Sequence, residues 1–450
     1  MPKSSYAAPQ PVLSVFDAVT IMVGLVVGIG IFRTPSLVAN NVTSEGMFLL
    51  VWVIGGIITL VGALCYAELS AAHPNAGGEY HFLSRAYGRR VAMMFGWARC
   101  TVIQSGAIAA VAFVFGDYAN QLLPLGSNGP AIYAALSVLF IAAVNVIGTV
   151  ESKRLQIAVT VIEIGAIIAI IAFGLWNMPA AVPAPPSIEP DAAALGIAMV
   201  FVLLTYGGWN ETAYLSGELQ DPQRNMARVL VLGTCILVLL YLLVNYALLS
   251  VLGLDGLRAS GAVAADMMHQ VAGPSGSKIV TVAIVIAAVS TLNATAFTGA
   301  RVFYSISHDL RIGGRWMGVW NGRGKTPANA QIVQCVWTLA LIAFGAGHPD
   351  GFSAMVNYTA PVFWGFMLLV GLALFVLRRR FPDQDRPYQV PLYPLTPILF
   401  ALFCCYMLYS GVMYAGRAGW IGLAVLAAGL PVLLLRKTDD RAPDAFSPLP

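Results

Sequence analysis

Two glutamates lie inside long apolar stretches of the sequence, where a charged group is costly. Glu163 falls in the apolar stretch 159–167, and Glu211 follows Asn210 in another. A carboxylate in such surroundings needs a partner or takes up a proton, and acids of this kind often mark the path of an ion or proton. We therefore expect Glu163 to carry a proton or hold a cation. A structural ion pair with Arg99 is the alternative.

Glu211 and one further polar residue, Asn293, each allow two interpretations. Glu211 could contact an ammonium group or a cationic side chain, or it could face an aqueous vestibule. Asn293, in a later apolar run, could line the same cavity, or it could hydrogen-bond between helices, as such amides commonly do in membranes. The sequence leaves both choices open.

Glycine clusters interrupt two of the apolar runs. The first run contains Gly24, Gly28 and Gly30, and the sixth contains Gly207 and Gly208. A helix unwound at membrane depth exposes main-chain N–H and C=O groups, which is tolerated where the break lines a cavity. Freed N–H groups favour a carboxylate and freed carbonyls favour an ammonium, so a zwitterion suits such a break. Close packing of helices through small residues is the alternative.

The elements that carry these residues are long and apolar. Of the 450 residues, 58% are hydrophobic and 10% are charged, a composition that a membrane accommodates and a soluble domain of this length does not. Twelve runs are long enough to cross the hydrocarbon core as helices: 13–39, 46–69, 90–123, 131–150, 155–176, 195–217, 229–252, 279–306, 328–346, 355–377, 395–413 and 420–435.

The connections between these runs are short, which predicts a single membrane transport domain over residues 1–450. The two glycine clusters fall in the first run and in the run five later. Such matched positions are expected of two inverted repeats of five helices, each opening with a broken helix. The expected division is 13–176, 195–380 and, for two additional helices, 393–436.

Basic residues are distributed unevenly between the two sides of the predicted membrane. Of the 25 lysines and arginines, 19 lie in segments on the side of the N-terminus. The opposite side has Arg258, Lys278 and Arg417, and Arg33, Arg99 and Arg301 lie within runs. Cytoplasmic loops are enriched in these residues, so we expect both termini to be cytoplasmic in the cytoplasmic membrane.

The sequence contains no recognisable catalytic motif. The six cysteines lack metal-ligand spacing, and the histidines form no metal-like pair within a helix. A nucleophile–base pair at membrane depth and a complete phosphate-binding motif of the form GxxxxGKS or GxxxxGKT are both missing. We expect no enzyme activity, no cofactor and no direct use of ATP.

Four groups of motifs stand out in the sequence: Gly28-Ile29-Gly30-Ile31-Phe32 with Pro35; Tyr66-Ala67-Glu68-Leu69 with Gly77-Gly78-Glu79-Tyr80; Tyr206-Gly207-Gly208-Trp209-Asn210 with Asp221-Pro222; and Thr291-Leu292-Asn293 with Arg301. Together they resemble the amino acid–polyamine–organocation (APC) superfamily, most closely bacterial relatives of the L-type amino acid transporters. The resemblance runs from Val15 to about Pro327 and weakens over the last two helices.

The resemblance implies an all-α polytopic membrane protein with a LeuT-like fold, twelve transmembrane helices in a 5+5 inverted repeat plus two extra helices. A bound carboxylate would meet the main-chain amides of Ile29, Gly30 and Ile31. The ammonium would meet carbonyls near Val26, Leu204 and Gly207. The expected substrate-binding set is Val26, Gly28, Ile29, Gly30, Ile31, Leu204, Gly207, Gly208, Trp209, Asn210, Glu211 and Asn293.

The sequence departs from the family pattern at three informative positions. Ile29 stands where serine is frequent, and Leu204 stands where L-type members commonly have a gating phenylalanine. Glu163, seven residues after Gln156, occupies the place of a lysine found in many relatives. The loop after the third run has no cysteine, so no disulfide-linked glycoprotein partner is expected.

The resemblance therefore implies a secondary active transporter of amino acids, working by alternating access as an exchanger or a proton-coupled symporter. A transporter of amines or polyamines is the alternative, because Glu163 and Glu211 could bind cations that lack a carboxylate. A substrate sensor built on the same fold would need a longer tail than the one that follows Leu435.

Overall fold

The computed structural model describes residues 13–75, 77–147, 152–177, 192–217, 219–310, 314–317, 319 and 327–434. Within these ranges the chain is helical, without a β-strand. The helices in the first part of the chain are α1 (Val15–Val26), α2 (Thr34–Ala39), α3 (Glu45–Ala72), α4 (Gly78–Tyr87), α5 (Arg89–Ala98), α6 (Ser105–Leu122), α7 (Gly129–Ile147) and α8 (Ser152–Trp176).

The second part continues in the same way. Its helices are α9 (Ala192–Tyr206), α10 (Pro222–Ala259), α11 (Val263–Leu310), α12 (Gly314–Met317), α13 (Ala328–Ala346), α14 (Gly351–Arg380), α15 (Leu395–Met413), α16 (Gly416–Ala427) and α17 (Gly429–Leu434). Short 3₁₀ segments cover Ile29–Phe32 and Trp209–Gly217, and a π-helix covers Arg99–Gln104.

Eight helical segments of the described chain are long and apolar enough to span a membrane, and two shorter ones, Val15–Val26 and Ile162–Trp176, are also apolar. Their outward faces bear large side chains such as Phe140, Leu239 and Leu402, each about 61% exposed. A soluble protein seldom leaves so many of these side chains in contact with solvent. The chain is therefore a multi-pass membrane protein.

The helices form two groups around a central cavity. The first group contains α1, α3, α10 and the 3₁₀ segment Trp209–Gly217, which pack on one another. The second contains α6, α7, α11 and α13. Helix α14 packs against α6 on one side and against α15 and α16 on the other, while α8 contacts α10 and α11.

Several predicted connections are helical in the structure, contrary to expectation. The stretch 78–87, expected to be a loop, forms α4. Helices α10 and α11 extend far into the expected connection 253–277, and each turns at a glycine with positive φ, Gly253 at 65° and Gly273 at 67°. Glycine adopts this conformation without steric cost, so the chain bends at both residues, which separate the short helical stretches 254–259 and 263–272 from the long parts of α10 and α11. The last predicted run is divided between α16 and α17.

Candidate functional site

The first apolar run is broken in its middle, as the glycine cluster predicts. Helix α1 ends at Val26, Gly28 is extended, and a 3₁₀ turn begins at Ile29. The hydroxyl of Tyr241 donates a hydrogen bond to the carbonyl of Val26 at 2.7 Å, so α10 supports the broken end. The first N–H groups of a helical turn have no acceptor within that turn. The break therefore presents main-chain donors at mid-run.

The sixth run is broken at a matching level. Helix α9 ends at Tyr206, and Gly208 has a φ of 102°. A Cβ atom on Gly208 would lie 3.4 Å from the carbonyl oxygen of Leu25 and from the side chain of Val26. Glycine is required here by its backbone angle and by this close approach. The two breaks are therefore neighbours in space, although the sequence separates them widely.

A cavity of about 320 Å³ lies beside the two breaks. Most of the expected site residues line it, namely Val26, Gly28, Gly30, Glu163, Leu204, Gly207, Gly208, Asn210 and Glu211. This arrangement brings together residues from α1, α8, α9 and the segment Trp209–Gly217.

Other expected residues lie elsewhere. Ile31 is fully buried, and Trp209 packs edge-on against Tyr66 with ring centroids 4.8 Å apart. Asn293 accepts a hydrogen bond from Asn145 at 3.0 Å, the interhelical alternative considered for it. None of these three side chains is among those that line the cavity. The side chain of Ile29 is outside the described part of the structure.

One wall of the cavity is polar and could not be predicted from sequence patterns. The π-helix, α11 and α14 contribute it. Gln104, Thr295, Thr298 and Thr359 line the cavity opposite the breaks. Gln104 donates to the carbonyl of Thr295 at 3.0 Å, which joins α11 to the π-helix. An isolated threonine or glutamine in an apolar run carries no strong signal, so only the three-dimensional arrangement identifies them.

The π-helix Arg99–Gln104 determines how this wall is presented. Its wider turn leaves carbonyls that side chains satisfy: Ser105 donates to Cys100 at 2.6 Å, and Trp337 and Tyr358 donate to Thr101 at 2.7 and 3.0 Å. Such π-turns are uncommon and frequently mark functional sites. Residues from α13 and α14 thus stabilise a distortion that places Arg99 and Gln104 on the cavity surface.

Glu79, Arg99 and Glu211 form a charged floor at one end of the cavity. The Arg99 guanidinium lies 2.7 Å from Glu211 and 3.4 Å from Glu79. Glu79 also accepts hydrogen bonds from Tyr66 at 2.7 Å and from Asn210 at 2.9 Å. This network joins α4, the π-helix and the segment Trp209–Gly217 beneath the cavity.

The pairing of Arg99 overturns one of the sequence alternatives. The sequence offers Arg99 as a structural partner of Glu163, but the ion pairs of Arg99 are with Glu79 and Glu211. Glu163 is 5% exposed, lines the cavity, and its Oε1 has no hydrogen-bond partner in the described part of the chain. The carboxyl of Glu163 therefore faces the cavity without a structural ion pair there.

A second ionic cluster lies at the opposite end of the cavity. Arg33, which follows the first break, is 3.0 Å from Asp350 and 3.4 Å from Asp117. Tyr118 donates to the carbonyl of Phe32 at 2.9 Å. These contacts join the broken first run to α6 and to the start of α14. Arg33, Asp117 and Asp350 do not line the cavity themselves, but Asp117 and Asp350 lie within three residues of its lining residues Val114 and Phe352.

A further cluster lies beyond the charged floor, at the helix ends where most basic residues stand. Glu68 is almost fully buried and receives two hydrogen bonds from Arg378, at 2.7 and 2.6 Å, and one from the N–H of Val390 at 2.7 Å. Nearby, burial and the adjacent Arg85 lower the pKa of His73 to about 4, so its ring is neutral among these cations. Glu68, like Glu79, therefore pairs with an arginine.

Comparison with known proteins gives consistent matches along almost the whole chain. The family model for amino acid permeases matches residues 13–431. The serine/threonine exchanger SteT of Bacillus subtilis (strain 168) is 28% identical over 420 residues, covering 92% of this chain and 94% of that protein. The human large neutral amino acids transporter small subunit 2 is 28% identical over 448 residues, covering 97% of this chain and 82% of that protein. The mouse b(0,+)-type amino acid transporter 1 is 29% identical over 407 residues, covering 88% of this chain and 82% of that protein.

Proposed function

Because this chain belongs to the amino acid permease family, we propose that it is a secondary active transporter that moves amino acids across the cytoplasmic membrane. The observation that carries this proposal is the cavity beside the two helix breaks, with an ionic cluster near each of its ends. A cavity of this kind can open to each side in turn. The fold that we infer is LeuT-like, with twelve spanning helices and repeats over 13–176 and 195–380.

The two breaks supply complementary main-chain groups for a zwitterion. The N–H groups of Ile29, Gly30 and Ile31 receive the α-carboxylate, and the carbonyls near Val26, Leu204 and Gly207 receive the α-ammonium. Val26 already accepts one hydrogen bond from Tyr241, and a carbonyl oxygen has a second lone pair available. No side-chain hydroxyl is needed, which accords with isoleucine at position 29.

Alternating access follows from the way that the ionic clusters connect the helices. Arg33 joins the first break to α6 and α14, whereas Arg99 joins the π-helix to α4 and to the segment after the second break. Rocking the first helix group against the second separates one cluster while the other stays closed. The bias of basic residues toward one side makes the Arg99 end cytoplasmic, with both termini there.

Glu163 makes proton coupling the favoured mode over strict exchange. Its carboxyl lines the cavity beside the first break, and its Oε1 has no hydrogen-bond partner among the described residues. A carboxyl in this position can bind a proton when the cavity faces outward and release it when the cavity faces inward. Transport would then draw on the proton gradient.

The test is uptake of labelled amino acids and polyamines into proteoliposomes that contain the purified chain. Each compound is measured with and without unlabelled amino acid inside, and with and without an inward proton gradient. Uptake driven by the gradient supports symport, and uptake that requires internal amino acid identifies an exchanger. Uptake of polyamines without any amino acid would contradict the proposed carboxylate site. Liposomes that take up nothing from the panel would refute amino acid transport.

A further inference from the structure

The charges that line the cavity are unbalanced. Among the described lining residues the carboxylates are Glu79, Glu163 and Glu211, and the cationic side chain is Arg99. The remaining lining groups are neutral, apart from main-chain dipoles. A charge without a counter-charge is costly where burial limits its contact with water, and Glu79 and Glu163 are only 4% and 5% exposed.

Arg99 cannot neutralise both of its acidic neighbours. Its guanidinium is shared between Glu79 and Glu211. Glu79 is additionally stabilised by hydroxyl and amide donors from Tyr66, Asn210 and Tyr214, so its charge is well satisfied by hydrogen bonds. Glu211 receives its hydrogen bond from Arg99 on Oε1, and one third of its side chain remains exposed. Glu211 is thus the least satisfied carboxylate of the charged floor.

Glu163 is an independent indication that this cavity binds a cation. It lies on a different helix from Glu211, and it is only 5% exposed. Its Oε1 has no hydrogen-bond donor in the described part of the chain, although the residue lines the same cavity. When Glu163 is protonated, the cavity retains one carboxylate in excess of its arginine. A zwitterionic amino acid brings no net charge and leaves that excess uncompensated.

We propose that the preferred substrates are α-amino acids whose side chain ends in a cation, and that Glu211 is the residue that binds this cation. The inference rests on the proposed function and specifies its substrate class. One positive charge on the side chain offsets the remaining carboxylate. The α-carboxylate and α-ammonium of the substrate stay at the two helix breaks.

The position of Glu211 requires a long side chain. The N–H of Glu211 donates to the carbonyl of Gly208 at 3.0 Å, so the two residues are one 3₁₀ turn apart. One such turn advances by roughly 6 Å along its axis, which places Glu211 beyond the reach of a short side chain held at the break. The four-carbon stem of a lysine-like side chain spans this distance.

The walls between the breaks and the charged floor suit an aliphatic stem. Phe95, Phe366 and Met367 line this part of the cavity together with Arg99. Cationic side chains commonly pack their methylene groups on apolar surface and keep the charged end at a polar group. The cavity thus combines an apolar passage with a terminal carboxylate.

Matched pairs of amino acids test this inference directly. Competition with labelled substrate in proteoliposomes would compare arginine with citrulline and lysine with norleucine, because each pair differs chiefly in the terminal charge. We expect the wild-type chain to prefer the cationic member by at least about tenfold. Glu211→Gln should reduce that preference to near unity, Glu211→Asp should restore part of it, and Glu45→Gln, on an exposed residue outside the cavity, should leave it unchanged.

Several results would overturn the inference and leave the proposed function intact. One is transport that favours citrulline and norleucine, and another is an unchanged preference in an active Glu211→Gln variant. If Glu211→Gln does not transport, thermal stabilisation of the purified variant by arginine and by citrulline measures the same preference in detergent. Equal stabilisation of wild type by the two compounds would also contradict the inference. Absence of uptake for every amino acid would instead remove the proposed function.

Discussion

The guanidinium of Arg33 lies 3.0 Å from the carboxylate of Asp350 and thereby joins the residue after the first helix break to the N-cap of α14. Because both side chains are largely buried, loss of one charge leaves the other poorly compensated. This pair is the connection expected to separate when the cavity opens at the end opposite the charged floor.

We predict that Asp350→Asn exposes the cavity at this end. Asparagine can still cap α14, so the change removes the charge and keeps the helix start. In a background without the exposed Cys235 and Cys405, a Val114→Cys probe in the cavity should react several-fold faster with a thiol reagent. Asp255→Asn, at an exposed surface pair with Arg258, is the control. Equal labelling of Val114→Cys in the otherwise unchanged protein, in Asp350→Asn and in Asp255→Asn would show that Arg33 and Asp350 do not restrict access to the cavity.

We predict that Glu163→Gln abolishes accumulation driven by a proton gradient but preserves exchange of internal for external amino acid. The amide has nearly the shape of the carboxyl and cannot take up and release a proton in the same way. Initial rates with and without the gradient measure the two modes separately. Gradient-driven accumulation at the wild-type level in Glu163→Gln would assign the proton to another group.

Gly208→Ala should destabilise the protein and slow transport. A side chain at a φ of 102° is strained, and the added Cβ would contact Leu25 and Val26 across the two breaks. The strain of a left-handed conformation costs about 1–2 kcal/mol, which would appear as a lower midpoint of thermal unfolding in detergent. Gly46→Ala, where a Cβ meets no atom within 4 Å, is the matched control. A midpoint equal to that of wild type would mean that the second break relaxes without cost.

Arg378→Lys should weaken the attachment of the segment 381–394 to α3. Lysine cannot reproduce the two parallel hydrogen bonds that Arg378 donates to buried Glu68. Removal of one partner from a buried ion pair lowers the free energy of unfolding by about 3 kcal/mol. The lysine variant keeps a positive charge and should therefore lose only part of this stability. Limited proteolysis of the segment would report the change, with exposed Arg379→Lys as control. Equal cleavage of both variants would exclude this role for Arg378.

The breaks at Gly28 and Gly207–Gly208 could be predicted from sequence because clustered glycines favour an interruption of the helix within an apolar run. The composition likewise indicated the membrane class without any tertiary information. Arg99 could not be assigned in this way. Its partners, Glu79 and Glu211, are distant in sequence, and a charge pattern does not say which acid an arginine meets. The sequence does not predict the helical stretches 254–259 and 263–272, because their polar residues resemble those of a loop.

The π-helix Arg99–Gln104 joins α5 to α6, and it also changes the direction in which the side chains of α6 point relative to those of α5. Each added residue in an α-helix rotates the following side chains by about 100°, so the extra residue of the wider turn offsets α6 relative to α5. The face of α5 that carries Phe95 and the face of α6 that carries Ala107, Val111 and Val114 both meet the cavity only with this offset. Removal of one residue from the turn would rotate the whole of α6 away, so the length of this short segment is as much a determinant of the cavity wall as the residues within it.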